Sequence, residues 1–202
     1  NSSNTSSTNT SSGTTSTNTS SQSETFDRGT ILSNYSENII IPRYNIFKSS
    51  MDNLKNSIET FTISPTSENY DLLQNDWIDA YKKWQYVEMF NISKAEEIMY
   101  NLKMNTYPVS KERIDNNIDT EKTDLSNPND WSSQGFPGLD YLMHGIAENK
   151  DAVIELYSTN SKYGDYLSTL GNLMSDITNS VVEDWISYKE TFNTSIENTA
   201  TS

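Results

Sequence analysis

The side chains best equipped for chemistry gather in one stretch, Trp131-Ser-Ser-Gln-Gly-Phe-Pro-Gly-Leu-Asp-Tyr-Leu-Met-His-Gly145. Asp140 and His144 are four residues apart, so on a helix they share a face. One carboxylate beside one imidazole could hold a metal ion or pass a proton. A competing reading puts His144 at a helix C-terminus, where the dipole favours a cation and no chemistry is implied. Gly135 permits an unusual backbone angle or a close approach, Pro137 suits a first helical turn, and Gly145 suits the position just past a helix. The stretch therefore predicts a short helix with a glycine-rich start. The free N–H groups of such a start could bind an anion; equally, the glycines could only let one helix cross another closely. Two more polar side chains, Gln85 and Glu88, sit three apart among Trp84, Val87 and Phe90. The Glu88 carboxylate is either solvated beside that apolar stripe or buried and hydrogen-bonded. Gln85 and Glu88 could both face the Gly135–Asp140 segment, as a site or as a polar clasp, with Asp140 accepting backbone N–H bonds in the same clasp.

The rest of the chain limits what these residues can do. Among 202 residues there is no Cys and one His. Disulfides, thiolate metal sites and a Cys nucleophile are excluded, and no multi-His metal site can form. Fourteen Lys+Arg against 28 Asp+Glu give a formal charge of −14. That balance argues against nucleic acid, which needs a basic patch, and against docking on an anionic membrane surface. No apolar run approaches the length of a membrane span.

Residues 1–23 contain only Ser, Thr, Asn, one Gly and one Gln. Such a tract buries nothing to offset the entropy of ordering and is predicted to be a flexible tether. We set the division at residues 1–25 for the tether and 26–202 for a helical domain. A tether of this kind suggests an upstream anchor, for instance a lipid-bearing Cys. Its Asn-Ser-Ser and Asn-Thr-Ser sequons arise readily by chance in such a tract.

From Thr25 onward, apolar residues recur at helical spacing. Tyr35, Ile39, Tyr44, Phe47, Met51, Leu54, Ile58 and Phe61 form one face, with Pro42 predicting a kink or a start near Ile41. Ser64-Pro65-Thr66 reads as a cap and first turn before Tyr70, Leu73, Trp77, Tyr81, Trp84 and Val87, a helix ending near Phe90. Ser93-Lys94-Ala95-Glu96 fits a capping box opening a short helix to about Met104. Val109–Ile118 reads as another short helix and 119–134 as a loop. The longest stripe runs from Tyr163 to Phe192, followed by a polar tail. No segment alternates with period two, so the fold class is all-α, an antiparallel helical bundle. The aromatic residues on these stripes read as core.

Four features in order resemble the imelysin-like family, also called peptidase family M75. They are Asn34-Tyr35 with Ile40-Ile41-Pro42; Pro65-Thr66; Trp84-Gln85-Tyr86-Val87-Glu88-Met89-Phe90; and Gln134-Gly135-Phe136-Pro137-Gly138-Leu139-Asp140-Tyr141-Leu142. Tyr166-Leu167 and Trp185 also fall in place. The resemblance implies a helical fold of two bundle-like halves. It further implies a bacterial protein, exported or lipid-anchored, often associated with iron uptake. The family signature Gly-x-His-x-x-Glu, proposed to hold a metal, maps onto Gly135, Pro137 and Asp140. Proline offers no donor atom where the signature has its His, so the metal-ligand half of the motif is absent. This pattern resembles a subgroup reading Gly-Phe-Pro-x-Leu-Asp/Glu. The family also continues beyond the Trp185 helix, so part of a second bundle is expected to be missing and the chain to be a fragment or a short member.

The expectation is a non-enzymatic binding or accessory component in iron or related nutrient uptake. It would lie in the periplasm or on the outer membrane, held by an N-terminal lipid anchor. Its partners would be an iron-related ligand or an envelope protein. No cofactor is predicted, and iron or zinc enters only through the family. The alternatives are an M75-type metallopeptidase and a helical interaction module in a surface assembly.

Overall fold

The computed structural model describes residues 27–196, so the residue 1–25 tether and the last six residues of the tail lie outside it. The first helix, α1 (Arg28–Tyr35), is capped by Asp27, whose carboxylate accepts from the Thr30 N–H. It runs through a π turn (Ser36–Ile40) into α2 (Ile41–Ile63). Pro42 cannot donate to the residue four before it. The wider turn absorbs this, with the Ile41 N–H reaching back to Ser36 O, as π-bulges in helices commonly do. The extra residue also moves the buried stripe. Ser36, Ile40 and Tyr44 face inward, while Tyr35, expected in the stripe, is 46% exposed. From Tyr44 to Phe61 the stripe is as the spacing predicts: Phe47, Met51, Leu54 and Ile58 are all buried. Each such side chain contributes about 1.5–3 kcal/mol.

A three-residue connection turns the chain back into α3 (Ser67–Trp84). The cap is Thr66, whose Oγ1 accepts from the Asn69 N–H at 3.2 Å; Pro65 precedes it rather than opening the first turn. The longest helix, α9 (Ser161–Thr194), lies antiparallel to α2. Glu37 meets Lys189, Ile58 meets Gly171 and Thr62 meets Gly164. These three helices are the bundle that the sequence predicts. Among the described residues there is no strand, and no helix is long and apolar enough to cross a membrane.

Between α3 and α9 the chain is built of short pieces. The segment expected as one helix from Lys94 to Met104 is two, α4 (Lys94–Glu97) and α5 (Tyr100–Met104), split by Met99 in the left-handed region at φ 54°. The Ser93 capping box does not form: Ser93 has φ 53° and no side-chain cap. The Lys94 N–H is instead closed by Asp184 Oδ2 of α9 at 3.2 Å. Next come α6 (Lys111–Asp119), capped by Ser110, and a 3-10 turn (Pro128–Ser133) inside the segment expected as loop. Then α7 (Gly135–Asp140) runs directly into a second π turn (Tyr141–Gly145). The sequence reading leaves residues 146–162 unassigned; they contain α8 (Lys150–Thr159), capped by Asn149 and burying Val153 and Tyr157. Buried phenols bridge the short pieces and the bundle. Tyr44 Oη donates to Phe90 O at 2.9 Å, and Tyr100 Oη meets Thr178 Oγ1 at 2.7 Å. Burial raises both phenols above the usual 10.0.

Candidate functional site

The 135–145 helix is placed by contacts that its own sequence does not display. Gly135 has φ 72°, and a Cβ there would lie 2.6 Å from Met104 C and 2.7 Å from Lys103 O. The glycine thus satisfies both expectations at once, a left-handed angle and a close helix crossing. With the start buried against carbonyl groups of α5, the anion-binding reading fails: acceptors face it, and Gly135, Phe136 and Gly138 are all buried. Gly145 differs from expectation too. It does not take a left-handed angle past a helix end; it closes the π turn, where a Cβ would meet the Tyr141 ring at 2.6 Å.

Aromatic residues of α3 and α8 hold the far side. Trp77 Nε1 donates to Phe136 O at 3.3 Å, Tyr70 Oη to Met143 O at 2.8 Å and Tyr157 Oη to Leu142 O at 3.3 Å. Burial raises the Tyr157 phenol well above its usual range. Burial, then the charges of Asp71 and Asp140, raise Tyr70. Both therefore stay protonated as donors. On the other flank the 3-10 turn is tied down by polar groups. Asn117 Nδ2 donates to Ser133 Oγ and Tyr166 Oη, and buried Asp130 accepts from Lys122 Nζ at 2.7 Å.

Asp140 and His144 do come together, with Nδ1 and Oδ1 2.9 Å apart. His144 Nε2 lies 2.9 Å from the Gln74 side-chain amide nitrogen. That amide can only donate, so Nε2 accepts and Nδ1 carries the proton given to Asp140. The imidazole edges also rest against Trp77 and Tyr70. This is a surface arrangement: the Asp140 side chain is 53% exposed. Asp140 does not serve as the expected clasp, since its partner is His144 rather than backbone N–H groups.

Gln85 and Glu88 do not join it. Gln85 is exposed and reaches back only to Tyr81 O of its own helix at 3.5 Å. Glu88 is half-buried, and its backbone carbonyl, not its carboxylate, accepts from Asn101 Nδ2 at 2.9 Å. Helix α3 stops at Trp84, so residues 85–89 leave the helical register that would have aimed both side chains at the Gly135 segment. A groove of about 280 Å³ that Asp140 helps to line is walled instead by Trp77, Tyr81, Tyr107, Phe136 and Pro137, together with Asn105 and Val109. Trp77 and Tyr81 stack at 5.4 Å, and Tyr107 is 84% exposed. The sequence reading assigned Trp77 and Tyr81 to the core. Both do pack part-buried on that core, against Phe136, and line the groove as well; their four-residue spacing marks only a shared helix face, and Tyr107 gives no signal.

The metal implied by the family signature does not fit the donors present. Pro137 supplies none, and both nitrogens of His144 are engaged by Asp140 and Gln74. Among the described residues no group of three or more His, Asp or Glu side chains converges. A catalytic zinc site takes three protein ligands and an open position.

Fold and groove together define an all-helical bundle protein with a surface groove beside a short glycine-started helix. Residues 40–202 match the Imelysin model, Peptidase_M75, and the chain belongs to that family. It is similar to Iron-regulated protein A of Synechococcus elongatus, at 19% identity over 130 residues, covering 63% of this chain and 35% of that protein. An imelysin-like protein from Psychrobacter arcticum has the same fold, with TM-score 0.67 and 17% identity over 85% of this chain and 55% of the other. So does a protein from Parabacteroides distasonis named as an iron-regulated protein A precursor, with TM-score 0.69 and 16% identity over 83% and 50%. The chain spans about half the length of these solved relatives, and less of the first.

Proposed function

We propose that the chain is an exported binding or accessory component in iron or related nutrient uptake of a bacterial envelope, and that it holds a ligand rather than cutting one. Family membership and two relatives named for iron regulation support the iron-related role. The observation that carries the non-enzymatic part is the signature segment itself. Pro137 stands at the ligand position and walls an aromatic groove, while Asp140 pairs with His144. The Ser/Thr/Asn tract of residues 1–23 supports a spacer between a lipid anchor and the bundle, on the periplasmic side or at the outer-membrane surface. Calorimetric titration of the full chain with ferric citrate, haem and zinc tests the ligand. Saturable heat with an iron species is the expected result. No heat with any of the three sinks it.

The family's peptidase description favours a second reading, metal-dependent proteolysis with ligands from outside the described residues. Stoichiometric zinc in protein purified without chelator, with peptide hydrolysis lost in Asp140→Ala, would establish it. A third reading, an interaction module in a surface assembly, draws on the exposed Tyr86, Met89, Met99 and Leu102, which are 57%, 65%, 50% and 44% exposed.

A further inference from the structure

Resting on the reading of the groove as a ligand site, we infer that its occupant is a small organic cation, a guanidinium or ammonium carried on a flat or aliphatic body. Three features converge on that chemistry. The walls are π surfaces and a proline: Trp77, Tyr81, Tyr107, Phe136 and Pro137, with no lysine or arginine among the lining residues. Ring faces attract cations, indole most strongly.

The second feature is the state of Asp140. Four aspartates of the molecule are paired with lysines: Asp52 with Lys48, Asp71 with Lys150, Asp79 with Lys83 and Asp130 with Lys122. Asp140 is paired only with His144. The Gln74 donor on Nε2 holds that ring as the Nδ1–H tautomer. Asp140 is the one charged side chain among the residues that line the groove, and no lysine or arginine lines it.

The third feature is that three rings elsewhere in the molecule are already covered by cations of the chain. Arg43 lies 5.5 Å over the Tyr86 ring, Lys111 5.4 Å over Tyr141 and Lys150 5.4 Å over Tyr70. Tyr70 and Tyr141 flank the groove in space or sequence, and each is covered by a cation of the chain itself. The stacked Trp77–Tyr81 pair lines an open groove whose lining offers none. A ligand cation would make there, from outside, the contact that the neighbouring rings make internally. An anionic ligand would meet repulsion from Asp140 and no basic partner. A bare metal ion would find two donors already engaged with each other.

The test uses the full chain and two probes of nearly equal shape, Nα-acetyl-arginine methylamide and its neutral citrulline counterpart. Binding is read from the indole N–H resonance of Trp77. The arginine probe should shift that resonance saturably, and the citrulline probe should bind about tenfold more weakly or not at all. Asp140→Asn, a change at an exposed site that leaves the fold intact by circular dichroism, should weaken the arginine probe about tenfold. Lys111→Met, outside the groove, should not. Equal binding of the two probes, or arginine binding unchanged in Asp140→Asn, overturns the inference. Ferric citrate, an anionic iron complex, is the separating arm. If it shifts Trp77, and more so in Asp140→Asn, the groove remains a ligand site and only the cation preference falls. If the arginine probe binds through Asp140 but no iron species binds anywhere, the cation preference stands and the iron-related reading falls. No shift with any probe removes both.

Discussion

The bundle of α2, α3 and α9 and the stretch of short helices between α3 and α8 are held by different physics. In the bundle, a long helix carries its own instructions. Its stripe recurs every turn, its cap is a neighbour in sequence, and burial of one face supplies the stability. In residues 85–145 almost no helix is longer than two turns, too short to be stable alone. These pieces are placed by single contacts from elsewhere: phenols and an indole that donate to their carbonyls, an aspartate of α9 that closes α4, a glycine that fits under α5. The groove with its Asp140–His144 pair lies on the part placed from elsewhere. The bundle supplies its rigid wall in Trp77 and Tyr81.

A pair of glycine substitutions should separate the two regions most widely. Gly135→Ala forces a left-handed angle on a side chain that also meets backbone, and should cost about 4 kcal/mol in denaturant unfolding, or prevent folding. Gly171→Ala, in the bundle, meets only the tip of Ile58 at 2.7 Å. The gain in helix propensity offsets part of the overpacking there, so the loss should stay within about 1 kcal/mol. Equal losses would mean that both regions are packed alike.

The seam between the regions should open in alkali. Tyr44, Tyr100 and Tyr157 all lie across it, and burial raises each phenol above the usual 10.0. A raised acid in the folded state favours folding fully below the unfolded value. That stability is lost as pH climbs from about 10 toward the folded values. The share of tyrosinate absorbance that belongs to the buried phenols should therefore appear only together with loss of helical circular dichroism above about pH 10; complete tyrosinate absorbance with the helices intact would contradict the burial.

Smaller effects sharpen the contrast. Tyr70→Phe leaves the Met143 carbonyl without its phenol and should cost about 1–2 kcal/mol. Protection of amides in residues 135–145 should fall more than in α2. Asp184→Ala should cost about 1 kcal/mol by uncapping α4 from a distance, whereas Ser93→Ala should stay within about 0.5 kcal/mol. The reverse order would restore the capping box that the sequence suggests.

What could be read from the sequence follows the same division. The stripes of α2 and α9 and the fold class were legible because a 3.6-residue period repeated over many turns leaves few alternatives. The Gly135–Gly145 helix was legible from its glycines and proline, and the Asp140–His144 pair from its spacing. Tyr35 misled because a π turn shifts the register by one residue, which no residue type announces. Gln85 and Glu88 misled because α3 ends at Trp84 with no Gly or Pro to mark the stop. Ser93 misled because a remote carboxylate took the role of the local hydroxyl. The aromatic wall of the groove was hidden for a related reason: Trp77 and Tyr81 carry the same letters whether a neighbouring helix covers them or not.

The bond from Asp184 to the Lys94 amide sets an order of events during synthesis. Ninety positions separate donor from acceptor, so a nascent polypeptide leaving the ribosome carries the 94–104 segment for that whole interval before its stopper arrives. The hairpin of α2 and α3 is available early, but the stretch that shapes the groove must wait until α9 has been made. A ribosome-stalled product halted before Asp184 should be cut by protease within that stretch, and a product extended past α9 should resist.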